Sequence, residues 1–270
     1  MDKNNIQEVK LLEQATDLIG SSKKIFVLTG AGISTDSGIP DFRGPKGVWT
    51  LNPGAEKASN IRYWISDPDI RKARWKGLLK RKQSGAPERQ ANAGHLALAK
   101  LQRTGKLRLL ATQNVDGLHT KAGNTNVIEV HGNLKQTKCL KCGDVLPIDD
   151  TIARVAQGDE DPHCLKCGGL LKSATISFGQ SLVAEDIQAA MDAARDCDLM
   201  IAVGTTLGVY PIAGVVPIAS QLNVPIIILN GSPTELDHLA TIKLTGSISD
   251  ILPRMVVPAV ESKEKIKSKI

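Results

Sequence analysis

The residues with the most specific chemistry in this chain are two cysteine pairs. Cys139-Leu140-Lys141-Cys142 and Cys164-Leu165-Lys166-Cys167 are matched C-x-x-C knuckles, each followed by glycine, with 21 residues between them. Such tight turns offer two thiolates apiece to one tetrahedral ion, and the interval suits a zinc ribbon. Four thiolates close the coordination sphere, so one Zn2+ per chain would hold structure and take no part in catalysis. A redox dithiol is the other use of C-x-x-C, and two matched knuckles argue against it. The fifth cysteine, Cys197, stands at a helix-to-strand junction and reads as a small buried hydrophobe.

A second group of residues could handle a phosphate-bearing ligand. The apolar run Ile25 to Leu28 leads into Thr29-Gly30-Ala31-Gly32-Ile33-Ser34. The run carries no charge and stops at glycine, so it reads as a buried parallel strand. Gly30 and Gly32 let the backbone turn tightly and approach a ligand, and the N–H groups of the turn and of a following helix suit a pyrophosphate. This is half of the dinucleotide fingerprint, because Thr35 stands where the third glycine belongs. Next, Gly38-Ile39-Pro40-Asp41-Phe42-Arg43 places a carboxylate, an aromatic ring and a guanidinium close to the glycine loop. Farther on, the strand Lys106 to Ala111 runs into Thr112-Gln113-Asn114-Val115-Asp116-Gly117-Leu118-His119, polar groups bunched where open α/β sheets bind ligands. Val127 to Val130 is another short strand, closed by His131-Gly132. A histidine at a strand end facing a ligand suits a general base, and by residue type His131 competes with His95, His119, His163 and His238.

GAGIS followed closely by GIPDFR, then TQNVDGLH, then HG, in that order, resembles the sirtuins, the NAD-dependent protein deacylases. The resemblance runs from about residue 20 to about residue 255. It implies an NAD-dependent protein-lysine deacetylase with acetyl-lysine proteins or peptides as substrates. NAD would be the co-substrate, and nicotinamide, O-acetyl-ADP-ribose and free lysine the products. It singles out His131 as the catalytic base, with Asn114 and Asp116 beside it. Gln113 and Asn114 would hold the nicotinamide ribose, and Asp116 would orient the carboxamide pocket. The implied cofactor contacts are Gly30, Ala31, Gly32, Ser34, Asp41, Phe42, Arg43, Gln113, Asn114, Val115, Asp116, Gly204, Thr205, Thr206, Asn230, Gly231 and Ile248. Phe178 and Gly179 would add a strand to the peptide, opposite Val209 and Tyr210. Gln180 replaces the family's usual glutamate there, and Ser173 stands where a proline is common. Members that remove succinyl groups carry Tyr-x-x-Arg where this chain has Trp75-Lys76-Gly77-Leu78, so acetyl groups are expected to be preferred. Longer-chain deacylation or mono-ADP-ribosylation is the alternative on the same fold. A zinc-ribbon nucleotide sensor is the non-enzyme alternative, and His131, Asn114 and Asp116 in their places argue against it.

The elements that must position these groups alternate between strand and helix. Asn5 to Ile19 has apolar residues at helical spacing and ends at Gly20, Ile61 to Lys82 is basic and roughly helical, and Ala93 to Leu101 is a helix in which His95 reads as a packing residue. Leu199 to Val203, Gly204-Thr205-Thr206, a helix within Ile212 to Leu222, and the apolar strand Val224 to Leu229 repeat the strand–turn–helix texture, and Leu244 to Leu252 adds a strand and helix. The expected fold is α/β: a Rossmann-like parallel sheet with helices on both faces, plus a small zinc-binding domain with a helical insertion. Residues 1–43, 91–132 and 173–260 would form the NAD-binding domain, 44–90 the cofactor loop and insertion, 133–172 the zinc ribbon, and 261–270 a fraying polar tail. Thirty-four Lys plus Arg against 28 Asp plus Glu give +6, partly from the tail lysines, and no nucleic-acid motif accompanies them. No apolar run approaches a membrane span and the start carries no signal-peptide core, so a cytoplasmic, monomeric enzyme is expected.

Overall fold

The computed structural model describes residues 3–267. In chain order it contains α1 (Lys3–Ser21), β1 (Ile25–Thr29), the short helices α2 (Val48–Leu51) and α3 (Gly54–Lys57), then α4 (Ile61–Ser66), α5 (Pro68–Gln83), α6 (Ala93–Arg103) and β2 (Leu107–Thr112). There follow α7 (Leu118–Lys121), β3 (Val127–Glu129), β4 (Gly132–Cys139), β5 (Val145–Pro147), α8 (Ile148–Ala156) and β6 (Leu171–Thr175). The last third comprises α9 (Ala184–Asp196), β7 (Leu199–Val203), α10 (Val215–Gln221), β8 (Ile226–Asn230), β9 (Ile242–Thr245) and α11 (Ile248–Lys267).

Period-2 alternation explains the three-layer body. In β1, Ile25 and Val27 enter one core while Phe26 and Leu28 enter the other, and β7 divides Ile201 from Met200 and Ala202 in the same way. One face is covered by α1, α6 and α11, the other by α9 and α10. Every pairing in the large sheet is parallel, in the order β3-β2-β1-β7-β8-β9. That is the doubly wound order of dinucleotide-binding folds, and the strand order reverses between β1 and β7. The crevice past their C-terminal ends is therefore where a ligand belongs.

The smaller unit is the antiparallel sheet β5-β4-β6 with α8 and the helical insertion. The insertion is two helices, because Asp67-Pro68 breaks the run and the Asp67 side chain caps Asp69 and Ile70. Trp64 and Trp75 meet edge to face at 5.8 Å and pack with Leu171 and the knuckle cysteines. Arg71 grips Asp161 through Nε and Nη2 and caps the carbonyls of Trp64 and Ile65 through Nη1. The insertion is thus tied to the ribbon by a pair whose side chains are only 8% and 17% exposed.

Three details differ from the sequence reading. Strand β6 runs across the boundary expected after residue 172, because Lys172 and Ser173 pair with β4. The chain after Gly30 is a 3₁₀ turn, Ala31–Ser37, and not an α-helix whose N-terminus could face a pyrophosphate. The tail expected to fray from Glu261 continues α11 as far as Lys267, and residues 268–270 lie outside the described residues. Buried Met255, Val256, Ala259 and Val260 carry that helix forward. No helix among the described residues is long and apolar enough to cross a membrane.

Candidate active site and metal centre

The ends of β1, β2 and β7 open into a cavity of 1670 Å³ that reaches from the parallel sheet to the ribbon. Its wall includes Gly30, Ala31, Gly32 and Ser34 after β1, Gln113, Asn114, Val115 and Asp116 after β2, and Gly204, Thr205 and Thr206 after β7. Asp41, Phe42, Arg43, His131, Asn230, Phe178, Gly179, Val209 and Tyr210 line it too. Of the expected contacts, Gly231 and Ile248 are not on this wall. Ile248 is buried in the core beneath α6, with its side chain against Gly94.

The glycines of the β1 loop have a reason that the sequence does not reveal. Gly30 has an ordinary extended backbone, but a Cβ there would lie 2.8 Å from the Gly204 carbonyl oxygen. A Cβ on Gly32 would lie 2.7 Å from the Gly204 Cα, and Gly32 N–H donates to that same carbonyl. The two loops cross in contact at the switch point, which leaves no room for side chains between them.

Around this crossing the polar side chains form one network. Gln113 donates to Thr205 Oγ1 at 2.8 Å and so bridges the two halves of the sheet. Asn114 donates through Nδ2 to Gly30 O and to Ser34 Oγ, both at 3.1 Å. Ser34 donates at 2.8 Å to Asp116, whose other oxygen caps Leu118 N–H. With the side-chain N–H groups spent in this way, the side-chain amide oxygens of Gln113 and Asn114 remain as acceptors, which suits ribose hydroxyls.

His131 is held from both sides. Its carbonyl accepts from Ile176 N–H at 2.7 Å, and Gly132, at φ +71°, passes so close to Ala174 that no Cβ would fit. The ring pairs Nδ1 with the Gln113 carbonyl at 3.1 Å, which places the proton on Nδ1 and leaves the Nε2 lone pair for the cavity. Burial lowers its pKa below the ordinary value and the Gln113 hydrogen bond partly opposes this, so the ring is a neutral base at pH 7.

The segment from Phe42 to Trp49 forms part of the cavity wall. Phe42 and Trp49 lie 4.7 Å apart between ring centroids, Trp49 meets Phe178 at 5.6 Å, and the Arg43 guanidinium stacks 4.7 Å over Trp49. Phe178 gives both backbone groups to this side, donating to Ser59 O and accepting from Ile61 N–H. Strand addition to a peptide therefore has to use neighbours such as Gly179. Gln180 accepts from Ser177 N–H at 2.9 Å, so the neutral amide closes its own loop where a carboxylate was expected.

The four knuckle cysteines converge as expected. All four Sγ atoms lie within 4.8 Å of one another, with Cys139 and Cys167 at 3.5 Å and Cys142 and Cys164 at 3.7 Å. Tetrahedral zinc with bonds of about 2.3 Å sets sulfurs about 3.8 Å apart, so this donor set fits Zn2+. Burial would raise the Cys139 pKa, but N–H donors from Cys142 and Lys141 outweigh it and bring it down to about 6. Gly169 is bare because a Cβ would meet Lys141 and the Cys139 sulfur. His163 holds the second knuckle's Gly168 carbonyl from outside, and Cys197 is buried with its thiol pushed up to about 11.

His95 and His119 are both buried, their ring centroids 4.9 Å apart and their planes tilted by 59°, although His95 looked like plain packing. Their one legible signal was that His119 closes the polar run Thr112 to His119. Arg71 and Arg74 stand beside the Trp75 position in the sequence, where a shifted helix register could bring either one toward the acyl group. Arg74 lines the cavity, together with Leu78, Arg81 and Lys172, whereas Arg71 is locked on Asp161.

The profile of the Sir2 family matches residues 30–211. A relative named NAD-dependent protein deacetylase 2, from Streptomyces coelicolor, is 41% identical over 86% of this chain and 96% of its own length. The fold superposes on a Sir2 enzyme of solved structure with a TM-score of 0.82 and 32% identity, covering 94% of this chain and 99% of the other. A solved Sir2–p53 peptide–NAD+ complex aligns with a TM-score of 0.79 and 30% identity, over 94% and 99% of the two chains.

Proposed function

This chain belongs to the Sir2 family, and from that premise we propose that His131 is the general base of an NAD-dependent protein-lysine deacetylase. The observation that carries the assignment is the Nδ1 contact with the Gln113 carbonyl, which orients the ring and frees Nε2 on the cavity wall. NAD, when bound, would supply an electrophilic ribose carbon, which the acyl-amide oxygen would attack as nicotinamide leaves. His131 Nε2 would take the proton of a ribose hydroxyl, so that this oxygen could add to the acyl carbon. Asn114 and Gln113 offer acceptor oxygens to the ribose, and Asp116, fixed by Ser34 and Leu118 N–H, lines the nicotinamide end. Asp41, Phe42 and Arg43 close over the cofactor, and the peptide runs between Gly179 and the Val209–Tyr210 wall. Four thiolates would hold a structural Zn2+ remote from this chemistry. We read the enzyme as a cytoplasmic monomer acting on acetyl-lysine proteins, with no nucleic-acid partner. The unbridged cysteines suit a reducing compartment.

Mass spectrometry of an acyl-lysine peptide panel with NAD tests the reading, since a panel left intact would refute it. The same assay gives a pH prediction. The His131 pKa lies below 6.5, and only the unprotonated ring accepts a proton, so kcat/KM should be flat near pH 7 and fall as pH drops through that pKa. An acid limb centred above pH 7 would assign the base elsewhere.

A second reading concerns the acyl group, and Arg74 favours it. Its guanidinium lines the cavity with no acid partner among the described residues, and desolvation lowers its pKa. Lys172 nearby contacts only carbonyl and hydroxyl oxygens, and burial followed by the Arg74 charge brings it down to about 8. The expected preference for acetyl over succinyl rested on there being no arginine at the Trp75-Lys76-Gly77-Leu78 position. On this second reading Arg74 serves the acyl end of the cavity, where it would give a succinyl carboxylate a charge-assisted partner. On one peptide, succinyl kcat/KM is expected within about tenfold of the acetyl value, one to two hydrogen bonds' worth of difference. A deficit of a thousandfold would show that Arg74 does not reach the acyl group.

A further inference from the structure

Beneath the cofactor crevice a buried imidazole feeds a hydroxyl. His119 Nε2 lies 2.9 Å from Thr29 Oγ1, which donates to Thr112 Oγ1 at 2.8 Å, and Thr112 Oγ1 accepts the Asn114 backbone N–H at 3.1 Å. The chain of contacts assigns the tautomer. Thr29 has one hydroxyl proton and gives it to Thr112, so at the imidazole it can only accept, and His119 must carry its proton on Nε2. This agrees with Nδ1, a buried atom without a partner, since an orphaned lone pair is tolerated better than an orphaned N–H.

His95, whose ring centroid lies 4.9 Å from that of His119 with the planes tilted by 59°, faces Ser34 Oγ through Nε2 at 3.4 Å while Ser34 donates onward to Asp116. Its Nδ1 lies 3.0 Å from Asn92 Oδ1 and 3.4 Å from Asn92 N, so Asn92 holds the ring at the start of its helix. Burial keeps both neutral, His119 at about 3 and His95 at about 4, so neither changes charge near pH 7.

We propose that His119 is a positioning residue for the deacetylation reaction, acting through Thr29 and Thr112 to fix the loop that carries Gln113 and Asn114. It touches neither cofactor nor peptide, since it does not line the cavity. Its donor hydrogen bond uses up the free acceptor of Thr29, which holds the Thr29 proton on Thr112 and keeps Thr112 as the fixed acceptor for Asn114 N–H. Asn114 in turn reaches Gly30 and Ser34. Without the imidazole the Thr29 hydroxyl can rotate away, and the last residue of β2 loses what sets the direction of the Asn114 turn. This inference rests on the reading that Asn114 meets the nicotinamide ribose.

The test compares His119→Leu with His119→Gln, because a glutamine Nε2 can donate at the same reach and a leucine cannot. Steady-state deacetylation of an acetyl-lysine peptide is measured together with nicotinamide exchange into NAD. His119→Leu is expected to lose about tenfold in kcat and in exchange rate, the worth of one well-placed hydrogen bond. The KM for peptide should stay within about twofold, and His119→Gln should recover most of the loss. Thr112→Val, nearly isosteric, should show the same NAD-side defect and carries the test if the leucine variant does not fold. Equal losses in the leucine and glutamine variants, or a loss confined to the melting temperature, would reduce His119 to packing and overturn the proposal. A wild-type protein that binds NAD without deacetylating would instead overturn the proposed function, and the relay would be judged by the NAD affinity of the same variants.

Discussion

His131→Ala is expected to lower deacetylation by about 10²–10⁴-fold, the usual worth of a general base. NAD binding should survive, because the side chain contributes one contact, to the Gln113 carbonyl, while the β1, β2 and β7 loops are held by bonds that do not involve it. The informative control is the step at which the variant stalls. Nicotinamide expulsion precedes the proton transfer assigned to His131, so exchange of labelled nicotinamide into NAD should persist better than overall turnover. Wild-type turnover in the variant would remove His131 from the mechanism, and equal loss of NAD affinity would make it a binding residue.

Replacing Cys142 or Cys164 with Ser is expected to abolish zinc retention and most of the soluble fold. Structural zinc contributes roughly 10–16 kcal/mol in small metal-organised domains, which exceeds the ~5–15 kcal/mol net stability of a typical domain. The ribbon's apolar core is small and the cysteines are part of it: Trp64, Trp75, Leu171, Cys139 and Cys164 are its buried members, with only partly buried residues such as Leu140, Leu146 and Ile148 packed around them. The damage should spread to catalysis, since β4 begins at Gly132, directly after His131, and β6 leads by Thr175 and Ile176 to the backbone clamp on His131. Metal analysis of the purified protein should find one zinc per chain. Finding none, with intramolecular disulfides in its place, would reverse the assignment.

Much of this was legible without coordinates because the information was local. A C-x-x-C turn brings its two thiols together by itself, and glycine after each pair marks the knuckle. Apolar runs that stop at Gly30, Gly204 and Asn230 mark parallel strands and the crevice at their ends. The order of the motif blocks identified the family, and the same resemblance is what singled out His131 for the proposal. Gly231 and Ile248, assigned by alignment alone, are the positions that did not come to the cavity wall, since a short apolar residue at a helix start serves the core as readily as a ligand.

What only the tertiary structure decided are contacts between residues far apart in the chain. Gly30 and Gly32 are bare because the Gly204 loop crosses them, a constraint that no local spacing encodes. Arg71 is spent on Asp161 while Arg74, one turn along the same helix, faces the cavity, and nothing in their shared basic stretch distinguishes them. Buried His95 and His119 look like any helical histidines until the fold brings them together behind Ser34 and Thr29. Sequence by itself determined the family, the doubly wound class and the four cysteines that cluster, because motif order and short-range chain geometry specify them. Which polar groups are left free to meet a ligand was decided by packing, because a donor or acceptor is free only after every distant partner has been counted.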